Sequence, residues 1–571
     1  MLKVLFYYGN DALVPNGGGD NEILFLGIAS LYLKTYFDIN NSEIANQIEW
    51  MLPIQRQMSD EEFIAYCNEK KPDLICSSHY IWNHTGMMEQ LSRVKQYISK
   101  DIKIVAGGPS IDVNIDPDFF IKYSFVDYAM YGAGEQAFSD LITSLVTKKQ
   151  LISFNTSNIA WFDKIKNKTV VAEFKYVSQS KISPFLHNEK IFSEMVKAEQ
   201  DNNVSIIIPY ELTRGCPYSC TFCDWNSGLT NKVSRRKGSY QDEIDLFQKI
   251  KIKNLYLSDA NVGQYQEDID MIEYLGNKNI NDRHGFQIDG NFSKLRKENN
   301  LKIYHIMARA NLVSSYAGFT ISVQDINPKV LENINRPDVG WDEHLKIIKE
   351  LKKTYPYRNS KIQLIQGLPG QTPETWRATL AEISENNLIL QPFISELLPA
   401  SPAARDKDYQ EKFKFTYSTS KRYHEGHVFR GTFPQSCVSF TQRDFVKMTI
   451  LTHFYATLVN FKSQTSDVFD FEGVVDDFLS SKNYQALENN LYNNWYMHDK
   501  FYFSIDIDMK PRDISACHFI STASTWSTSL FILRLIATHS NISPTVFIKN
   551  MLKLNNNGHY VSKIEKIEGY I

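Results

Sequence analysis

Three cysteines packed into eight residues constrain this chain more than any other feature. Cys216, Cys220 and Cys223 lie in the segment CPYSCTFC, and the 571-residue sequence contains only seven cysteines. The other four are scattered singly along the chain, at Cys67, Cys76, Cys437 and Cys517. A local thiol cluster in a chain this poor in cysteine predicts metal binding or catalytic chemistry rather than a disulfide framework.

The spacing C-x-x-x-C-x-x-C suits a [4Fe–4S] cluster better than a zinc ion. Cysteine thiolates are the usual protein ligands of such clusters, and three ligands leave the fourth iron open for a substrate or cofactor. A structural zinc site normally takes four ligands, often as two C-x-x-C pairs, and the sequence has no second pair. The alternatives are a zinc site or three buried structural cysteines. We predict an open-iron cluster held by Cys216, Cys220 and Cys223.

The composition is that of an ordinary globular protein, with 43% apolar and 22% charged residues and a net charge of −3. This balance gives no reason to expect a general electrostatic affinity for nucleic acid or for anionic membranes. The N-terminal MLKVLFYYGN lacks the apolar region and cleavage site of a signal peptide. The longest apolar segment, around residues 529–537, is far too short to span a membrane. We therefore expect a cytoplasmic protein.

Residues 1–150 alternate short apolar runs with helical patterns. LKVLFYY (2–8), DLICSSHY (73–80) and IKIVAGGPS (102–110) have the pattern of buried strands, and helical segments lie between them. This alternation predicts a doubly wound α/β domain with a parallel sheet. Ligands bind such sheets at the carboxyl ends of the strands, where the glycine-rich turns lie.

The rest of the chain divides into three parts. Residues 151–204 are polar and irregular, which predicts a linker with some strand character. Residues 205–440 contain five or six further strand–helix units, which predict a full or partial (β/α) barrel with its site at the carboxyl ends of the strands. The cysteine cluster follows the first of these strands. Residues 441–571 carry longer helical patterns, which predict a mainly helical C-terminal domain that docks the substrate.

The segment CPYSCTFC within a β/α pattern resembles the radical S-adenosylmethionine (radical SAM) superfamily. Its signature has this cysteine spacing with an aromatic residue before the last cysteine, the place of Phe222. The resemblance implies that the open iron binds the amino and carboxylate groups of S-adenosylmethionine. An electron from the cluster then cleaves the sulfonium to a 5′-deoxyadenosyl radical, while the protein orients the cofactor and excludes water.

The resemblance also implies residues that hold S-adenosylmethionine. The segments 322–337 and 366–376 resemble later barrel strands, one carrying a Gln before a helix that ends in Asn-Arg and the other ending in Gly-Leu-Pro-Gly. SDANVG (258–263) stands where the superfamily usually has Gly-Gly-Glu, and Asp259 and Asn261 are the substitutes. Asp259, and likewise the Gln and the Arg, could equally be strand-end caps or surface residues. The expected contacts are Phe222, Asp259, Asn261, Gln324, Arg336 and Gly367.

Four segments of the first domain resemble the cobalamin-binding domains fused to radical enzymes of this superfamily. They are LGIASLYLK, SSHYIWN, VAGGPS and YGAGEQAF, in that order. Glycines there would leave room for the macrocycle and its nucleotide tail, although Gly-Gly after a strand is also a common tight turn. The residues expected at the corrinoid are Ser77, Ser78, Gly107, Gly108, Gly132, Gly134 and Glu135.

Whether this domain binds cobalamin is a separate question. The D-x-H-x-x-G motif that supplies a lower histidine ligand in cobalamin mutases is absent, and neither His79 nor His84 lies in one. Radical SAM members commonly lack that motif, and some relatives keep the domain without the corrinoid. We expect bound cobalamin beside the [4Fe–4S] cluster and S-adenosylmethionine.

The pairing of both domains favours a cobalamin-dependent radical SAM methyltransferase. Such an enzyme transfers a methyl group, by way of a 5′-deoxyadenosyl radical and methylcobalamin, to an unactivated carbon of a peptide or natural-product intermediate. Flavodoxin or ferredoxin would supply the electron.

The alternative is an enzyme without cobalamin, such as a peptide epimerase, with Cys437 as hydrogen-atom donor and Cys517 as a weaker candidate. Cys437 could equally be a small buried hydrophobe. The intact cysteine signature argues against a non-catalytic relative, and no H-E-x-x-H supports a zinc hydrolase.

Overall fold

The computed structural model describes most of residues 1–493. The ranges and positions left undescribed within that span are 11–22, 81, 112, 114–115, 226–231, 237–239, 293–296, 314–318, 338, 357–359, 425–426 and 465–469. Residues 494–571, which include Cys517 and the apolar segment 529–537, lie outside the described part of the chain.

Strands and helices alternate through most of the described chain. The strands are β1 (Leu2–Asn10), β2 (Ile23–Phe25), β3 (Ile48–Trp50), β4 (Ile54–Arg56), β5 (Leu74–Ser78), β6 (Lys103–Gly107), β7 (Tyr128–Met130), β8 (Ile159–Asp163), β9 (Lys168–Val171), β10 (Ser205–Tyr210), β11 (Thr213–Arg214), β12 (Ser234–Arg235), β13 (Asn254–Val262), β14 (Gln287–Phe292), β15 (Phe319–Gln324), β16 (Ser360–Gln366), β17 (Ile389–Ile394), β18 (Thr416–His424) and β19 (His427–Ser436). The helices are α1 (Ala29–Asn40), α2 (Asp60–Lys70), α3 (His84–Val94), α4 (Phe119–Lys122), α5 (Glu135–Thr147), α6 (Pro184–His187), α7 (Glu189–Gln200), α8 (Tyr240–Lys249), α9 (Gln266–Asp282), α10 (Lys297–Arg309), α11 (Pro328–Asn333), α12 (Trp341–Thr354), α13 (Pro373–Glu385), α14 (Pro402–Arg405), α15 (Lys407–Phe413), α16 (Gln442–Gln464), α17 (Phe471–Ser480) and α18 (Lys482–Asn493).

The first domain is the predicted doubly wound sheet. Its strand order is β3-β1-β5-β6-β7-β8-β9, with β4 also on β1, and the pairs from β3 to β7 are parallel. Side chains alternate between the two faces of a strand. In β1, Leu5 and Tyr7 enter the core on one face, whereas Val4 and Phe6 enter a separate core on the other. Helices therefore cover both faces, as the buried apolar runs predict.

The sheet continues beyond residue 150, where we expected the linker to begin. β8 pairs antiparallel with β7, Ile159 opposite Met130, and β9 pairs antiparallel with β8. These two strands cover what would otherwise be an open edge at β7. Some strand character was predicted for residues 151–204, but the pairing with the first sheet was not, because the pattern of a short strand does not show which strand it joins.

The second domain is a partial barrel. β10, β13 and β14 form one parallel sheet, β15, β16 and β17 form another, and β14 contacts β15. The six strands alternate with helices, as predicted. The first domain contributes a seventh strand, because β2 pairs in parallel with β10, Ile23 opposite Ser205. The two domains therefore share backbone hydrogen bonds as well as side-chain contacts.

The described start of the C-terminal region is helical, as predicted. α16 packs against α13 and β17 of the barrel. Gln366, the last residue of β16, donates through Nε2 to Thr449 Oγ1 at 2.7 Å and accepts from Thr452 Oγ1 at 3.0 Å. These hydrogen bonds fix α16 against the barrel. Within the described residues, no helix has the length and apolar character that crossing a membrane requires.

Candidate active site at the carboxyl edge of the barrel

The cysteine loop follows β10 and β11 at the carboxyl edge of the barrel. Gly215 enters the loop with φ +89°, and a Cβ there would lie 2.4 Å from the carbonyl oxygen of Lys232. Only glycine fits this backbone without displacing the segment before β12, which contains Lys232. Cys216 and Cys220 are buried, and Cys223 is half-buried. The three predicted ligands therefore lie together on one constrained loop.

Hydrogen bonds from other parts of the barrel hold this loop in place. Thr221 donates its N–H to the carbonyl of Ile334 at 2.9 Å and accepts from the N–H of Ala403 at 2.8 Å. Its hydroxyl donates to Tyr409 Oη at 3.0 Å. Phe222, the expected aromatic, packs in a small apolar cluster against Val330, Ile334 and Leu368. All six described cysteines are free thiols, so the shape of the loop does not depend on a disulfide.

The residues present fit a cluster better than a single metal ion. Among the described residues, no three His, Cys, Asp or Glu side chains converge on a point where one ion would bind. In a cubane each thiolate binds a different iron, so convergence on a single point is not required, whereas a zinc ion requires it. Asn261 Nδ2 donates to Cys216 Sγ at 3.2 Å. Hydrogen bonds to the sulfurs help to set the potential of an iron–sulfur cluster.

The Asp259 side chain contacts the backbone that leads into the cysteine loop rather than an open site. Its buried carboxylate accepts the N–H of Leu212 at 2.8 Å, just before β11. Burial raises the pKa of Asp259 to about 7, and the backbone N–H groups of Leu212 and Thr213 only partly offset it. The structure thus assigns Asp259 a scaffold contact, and a contact with S-adenosylmethionine stays a prediction. Asn261, two residues on, directs its amide to Cys216, and its Oδ1 is buried with no hydrogen-bond donor among the described residues.

Gln324 ends β15 in a strained conformation. Its φ is +65°, in the left-handed region that costs a non-glycine residue about 1–3 kcal/mol. Its buried Oε1 finds no donor among the described residues. Strain together with an orphaned buried acceptor at a strand's carboxyl end is what a ligand contact would explain. Arg336, in contrast, is buried and donates through Nη2 to the carbonyl of Ser322. Its visible role is to fix β15.

Gly367 begins the turn after β16, and its φ is +95°. A Cβ there would lie 2.8 Å from Phe445, so the site requires glycine for packing against α16. The N–H groups of Gly367 and Leu368 donate to Gln371 Oε1 at 2.7 and 3.0 Å. Gln371 Nε2 in turn donates to Asp325 Oδ2 at 2.7 Å. This buried network, which the sequence did not reveal, ties the ends of β15 and β16 together.

A narrow cavity opens beside the cysteine loop. Its wall combines Phe222 with the turns after β16 and β17 and with the first strand of the β18–β19 hairpin. Most of the wall is apolar or aromatic; six of its members are Phe222, Gly367, Leu368, Tyr409, Phe415 and Tyr417. The rings of Phe415 and Tyr417 stack with centroids 5.5 Å apart. Two expected S-adenosylmethionine contacts, Phe222 and Gly367, therefore line one cavity.

Cys437 lies in the turn after β19, outside the lining of that cavity. Its Sγ is 3.2 Å from Ser439 Oγ, and the N–H of Ser439 donates to it at 3.5 Å. Burial raises the pKa of the thiol. The structure places Cys437 as a half-buried, hydrogen-bonded thiol, and its role as a hydrogen-atom donor stays a prediction.

The carboxyl edge of the first sheet holds a buried pair of histidines. Ser77 Oγ and His79 Nε2 are hydrogen-bonded at 2.8 Å, and the ring centroids of His79 and His84 are 5.3 Å apart. Burial lowers the pKa of both rings, that of His84 to about 4. The two Nδ1 atoms are buried and have no hydrogen-bond partner among the described residues. Beside them Tyr80 and Trp82, which sequence reasoning did not single out, stack and are exposed.

The local structure explains why two of the four positions expected at the corrinoid are glycine. A Cβ on Gly108, which has φ +105°, would lie 2.6 Å from the carbonyl oxygen of His79. A Cβ on Gly132 would lie 2.6 Å from the ring of Phe174. Gly107 and Gly134 are different, since a Cβ would meet only a methionine or leucine carbon at 3.7 Å. Only these last two leave room beside the backbone, and all four contacts to a corrinoid stay predictions.

The two remaining corrinoid candidates behave differently. The carbonyl of Ser78, which ends β5, accepts from Asn83 Nδ2 at 3.0 Å. Glu135, the first residue of α5, is buried and forms an ion pair with Arg214, two residues before Cys216. Arg214 also pairs with Glu211 at 3.2 Å. Sequence reasoning missed Arg214, although its place beside the cysteines was a signal. The ion pair brings the two carboxyl edges into direct contact.

Two regions of the chain match known families. Residues 210–383 match the radical SAM superfamily, and residues 29–142 match the B12 binding domain. The first match contains the cysteine loop, Asn261 and Gln324. The second contains the histidine pair and Glu135.

Two curated proteins are similar to this chain. The chain is 26% identical over 389 residues to the cobalamin-dependent radical SAM methyltransferase TokK of Streptomyces tokunonensis. It is 25% identical over 395 residues to the 2-(S-pantetheinyl)-carbapenam-3-carboxylate methyltransferase of Streptantibioticus cattleyicolor. Each match covers 67% of this chain and 55% of the relative. The chain thus spans about half the length of the curated relatives it matches.

Two solved structures share the fold at low sequence identity. The radical S-adenosylmethionine methyltransferase TsrM from Kitasatospora setae has a TM-score of 0.53 at 12% identity, covering 76% of this chain and 86% of that chain. The cobalamin-dependent S-adenosylmethionine radical enzyme OxsB has a TM-score of 0.54 at 14% identity, covering 100% and 81%. These likenesses confirm the predicted architecture of both domains. The chain carries a radical SAM domain over residues 210–383 and a B12-binding domain over residues 29–142.

Proposed function

We propose that this protein is a cobalamin-dependent radical SAM methyltransferase acting on an unactivated carbon of a peptide or natural-product intermediate. The observation that carries the proposal is the contact between the two domains. The cysteine loop of one and the glycine-bearing edge of the other lie side by side, joined by Arg214 and Glu135. When bound, the cluster with S-adenosylmethionine supplies a radical that removes a hydrogen atom from the substrate, and cobalamin supplies the methyl group.

The chain's own residues prepare the radical side of this site. Cys216, Cys220 and Cys223 would hold three irons on a loop already fixed by backbone hydrogen bonds. The amide of Asn261 donates to Cys216 Sγ, which stabilises negative charge on that sulfur. Gln324 Oε1 offers an acceptor that is already desolvated, so a ligand N–H or O–H would satisfy it without a further burial cost.

The cavity beside the loop would hold the nucleoside part of S-adenosylmethionine. Phe222, Tyr409 and Phe415 supply aromatic surface for a base. Gly367 keeps the wall free of a side chain where the backbone turns. The apolar wall would also separate the radical from solutes that could donate a hydrogen atom to it.

The first domain would hold the corrinoid at its carboxyl edge. The exposed pair Tyr80 and Trp82 offers a flat aromatic surface there, and Gly107 and Gly134 leave room beside the backbone. His79 and His84 each keep an orphaned Nδ1 at the same edge. Orphaned polar atoms and an uncovered aromatic pair fit a domain whose ligand is a large, partly polar ring.

The substrate and partners follow from the relatives and from the chemistry. One relative is named for a pantetheinyl carbapenam carboxylate, so a small natural-product intermediate is the substrate class we favour over a peptide. A reduced flavodoxin or ferredoxin would supply the electron to the cluster. A cytoplasmic location suits the six described free thiols, since thiols stay reduced there.

The peptide epimerase alternative has less support. The two curated relatives are both methyltransferases, and Cys437 lies outside the lining of the cavity. Epimerisation would also leave the B12-binding domain without a role.

The test uses anaerobically reconstituted protein, a reductant, S-adenosylmethionine with a deuterated methyl group, and 2-(S-pantetheinyl)-carbapenam-3-carboxylate as probe substrate. We expect a deuteriomethylated product. We also expect 5′-deoxyadenosine and S-adenosylhomocysteine together, because one cofactor molecule supplies the radical and another supplies the methyl group. Formation of 5′-deoxyadenosine without any S-adenosylhomocysteine would exclude methyl transfer, whichever substrate is used.

A further inference from the structure

We propose that Glu135 and Arg214 are positioning residues that couple the corrinoid-binding edge of the first domain to the cluster loop of the barrel. The inference rests on the proposed function, since it concerns how that function's two cofactor sites communicate. It assigns Glu135 a role different from the corrinoid contact that the sequence predicts.

The place of the two residues in the fold is the first argument. Glu135 opens α5, directly after the turn Gly132–Gly134 at the carboxyl end of β7. Arg214 ends β11, and only Gly215 separates it from Cys216. Each residue is therefore one short segment away from the ligand site of its own domain. A shift of either segment moves one partner of the ion pair.

The geometry of the pair is the second argument. Arg214 Nη1 contacts Glu135 Oε1, while its Nη2 and Nε both reach Glu211 Oε2, at 3.2 and 3.3 Å. The Arg214 guanidinium lies over the ring of Tyr32 in α1, 5.8 Å from its centroid. The planar fork of arginine holds such partners in a fixed orientation, which a lysine does not. One guanidinium thus joins α1, α5 and the strand that leads to the cluster.

The burial of the pair is the third argument. The Glu135 side chain is only 6% exposed and that of Arg214 24% exposed. Water screens a buried pair far less than an exposed one, so its geometry is held more tightly. Loss of Glu135 removes the ion pair that joins α5 to Arg214 and leaves Glu211 as the carboxylate partner of the guanidinium.

A second buried ion pair, between β4 of the first sheet and α7, provides a matched control. Arg56 in β4 pairs with Glu199 in α7, Nε to Oε2 at 2.6 Å, and the Glu199 side chain is 10% exposed. Neither residue flanks the cysteine loop or the β7 turn. Glu199→Gln removes the same charge from a comparably buried glutamate without touching the proposed coupling.

The experiment measures binding rather than turnover. Hydroxocobalamin affinity is determined by visible absorbance for the cluster-reconstituted full chain, with and without saturating S-adenosylmethionine. Coupled sites change each other's affinity by a common factor, typically about 5–150-fold. We expect S-adenosylmethionine to change the hydroxocobalamin affinity at least about fivefold in the wild-type protein and in Glu199→Gln. In Glu135→Gln, Arg214→Gln and the double variant, we expect S-adenosylmethionine to leave that affinity unchanged. The double variant should not differ from either single variant.

Three results would overturn the inference. The first is equal coupling in Glu135→Gln and wild type, and the second is equal loss in Glu199→Gln. The third is a wild-type protein that binds both hydroxocobalamin and S-adenosylmethionine independently, which contradicts the coupling but leaves the proposed methyl transfer standing. A wild-type protein that binds no hydroxocobalamin would instead contradict the proposed function and the coupling together. The electron paramagnetic resonance spectrum of the reduced cluster, recorded for each variant with S-adenosylmethionine, shows that the loop is still assembled.

Discussion

The two carboxyl edges of this molecule carry the same kind of sequence signal but use it differently. At the barrel edge, the signal is three thiols, and they remain available on a loop that the rest of the barrel holds in shape. At the edge of the first sheet, the signal is a set of glycines, and the protein's own atoms fill the space beside two of them. A cluster of reactive side chains such as thiols points to a functional site. A glycine shows only that the backbone is closely packed there, whatever the neighbour is.

The largest expected effect is on the barrel edge. Cys216→Ala, Cys220→Ala or Cys223→Ala should each abolish reductive formation of 5′-deoxyadenosine, because each removes one of three cluster ligands. Liquid chromatography of the quenched reaction measures the product. Cys67→Ala, at a buried cysteine of the first domain, is the control and should leave it unchanged. Turnover retained in any of the three loop variants would contradict the cluster assignment.

The next prediction concerns the glycines of the first sheet. Gly108→Ala places a Cβ against the His79 backbone at a φ of +105°, so we expect it to lower the free energy of unfolding by about 3 kcal/mol. Gly107→Ala meets only Met130 at 3.7 Å, so we expect a change within about 0.5 kcal/mol. Urea unfolding followed by circular dichroism measures both.

Hydroxocobalamin binding by Gly107→Ala and Gly108→Ala separates a ligand contact from a packing contact. If Gly107 faces the corrinoid, Gly107→Ala should weaken hydroxocobalamin binding while leaving the fold intact. Equal stability of the two alanine variants would show that the tight fit at Gly108 has no energetic weight.

A third prediction is a dependence of stability on pH that originates at Asp259. Its folded pKa of about 7 lies above the value near 4 expected when unfolded. The folded state therefore binds the proton more tightly, and this contribution to stability is lost as the pH rises from about 4 to 7. The loss amounts to at most about 1.4 kcal/mol per pH unit.

The measurement compares wild type with Asp259→Asn, which keeps the shape of the side chain without the titration. Thermal unfolding of both proteins from pH 5 to 8 should show the melting temperature of the variant rising relative to wild type. A difference in melting temperature that is the same at every pH would place the pKa of Asp259 outside this window.

The smallest expected effect is at Cys437. The half-buried thiol contacts Ser439 and lies outside the lining of the cavity. Cys437→Ala should therefore leave the ratio of methylated product to 5′-deoxyadenosine unchanged and reduce the free energy of unfolding by about 1 kcal/mol. Loss of methylated product with 5′-deoxyadenosine retained would show that Cys437 acts after the radical is formed.

Much of the architecture could be predicted from the sequence because it depends on local patterns. Apolar runs separated by helical segments predicted the doubly wound sheet and the barrel, and the thiol spacing predicted the loop. The pairing of β2 with β10 could not be predicted, since β2 has only three residues and joins a strand far along the chain. The strands β8 and β9 lie within the predicted linker, and the pattern of a short strand does not show which sheet it joins.

The site residues divide along a similar line. Asn261 and Gln324 were singled out, and the structure gives each an unusual environment, a thiol contact in one case and a strained, orphaned amide in the other. Asp259 and Arg336 were singled out by position, but both form hydrogen bonds with backbone groups of neighbouring segments. A sequence shows which strand end carries a polar residue, whereas the direction of its side chain depends on packing between distant segments.

The central claim is that one chain holds both a cluster and a corrinoid, and cofactor analysis tests it most directly. Protein purified anaerobically from cobalamin-supplemented cells is assayed for iron, sulfide and extracted corrinoid, with the visible spectrum recorded first. The account predicts about four irons per chain for a [4Fe–4S] cluster, together with about one corrinoid. A full complement of iron and sulfide with no corrinoid, even after incubation with hydroxocobalamin, would contradict it.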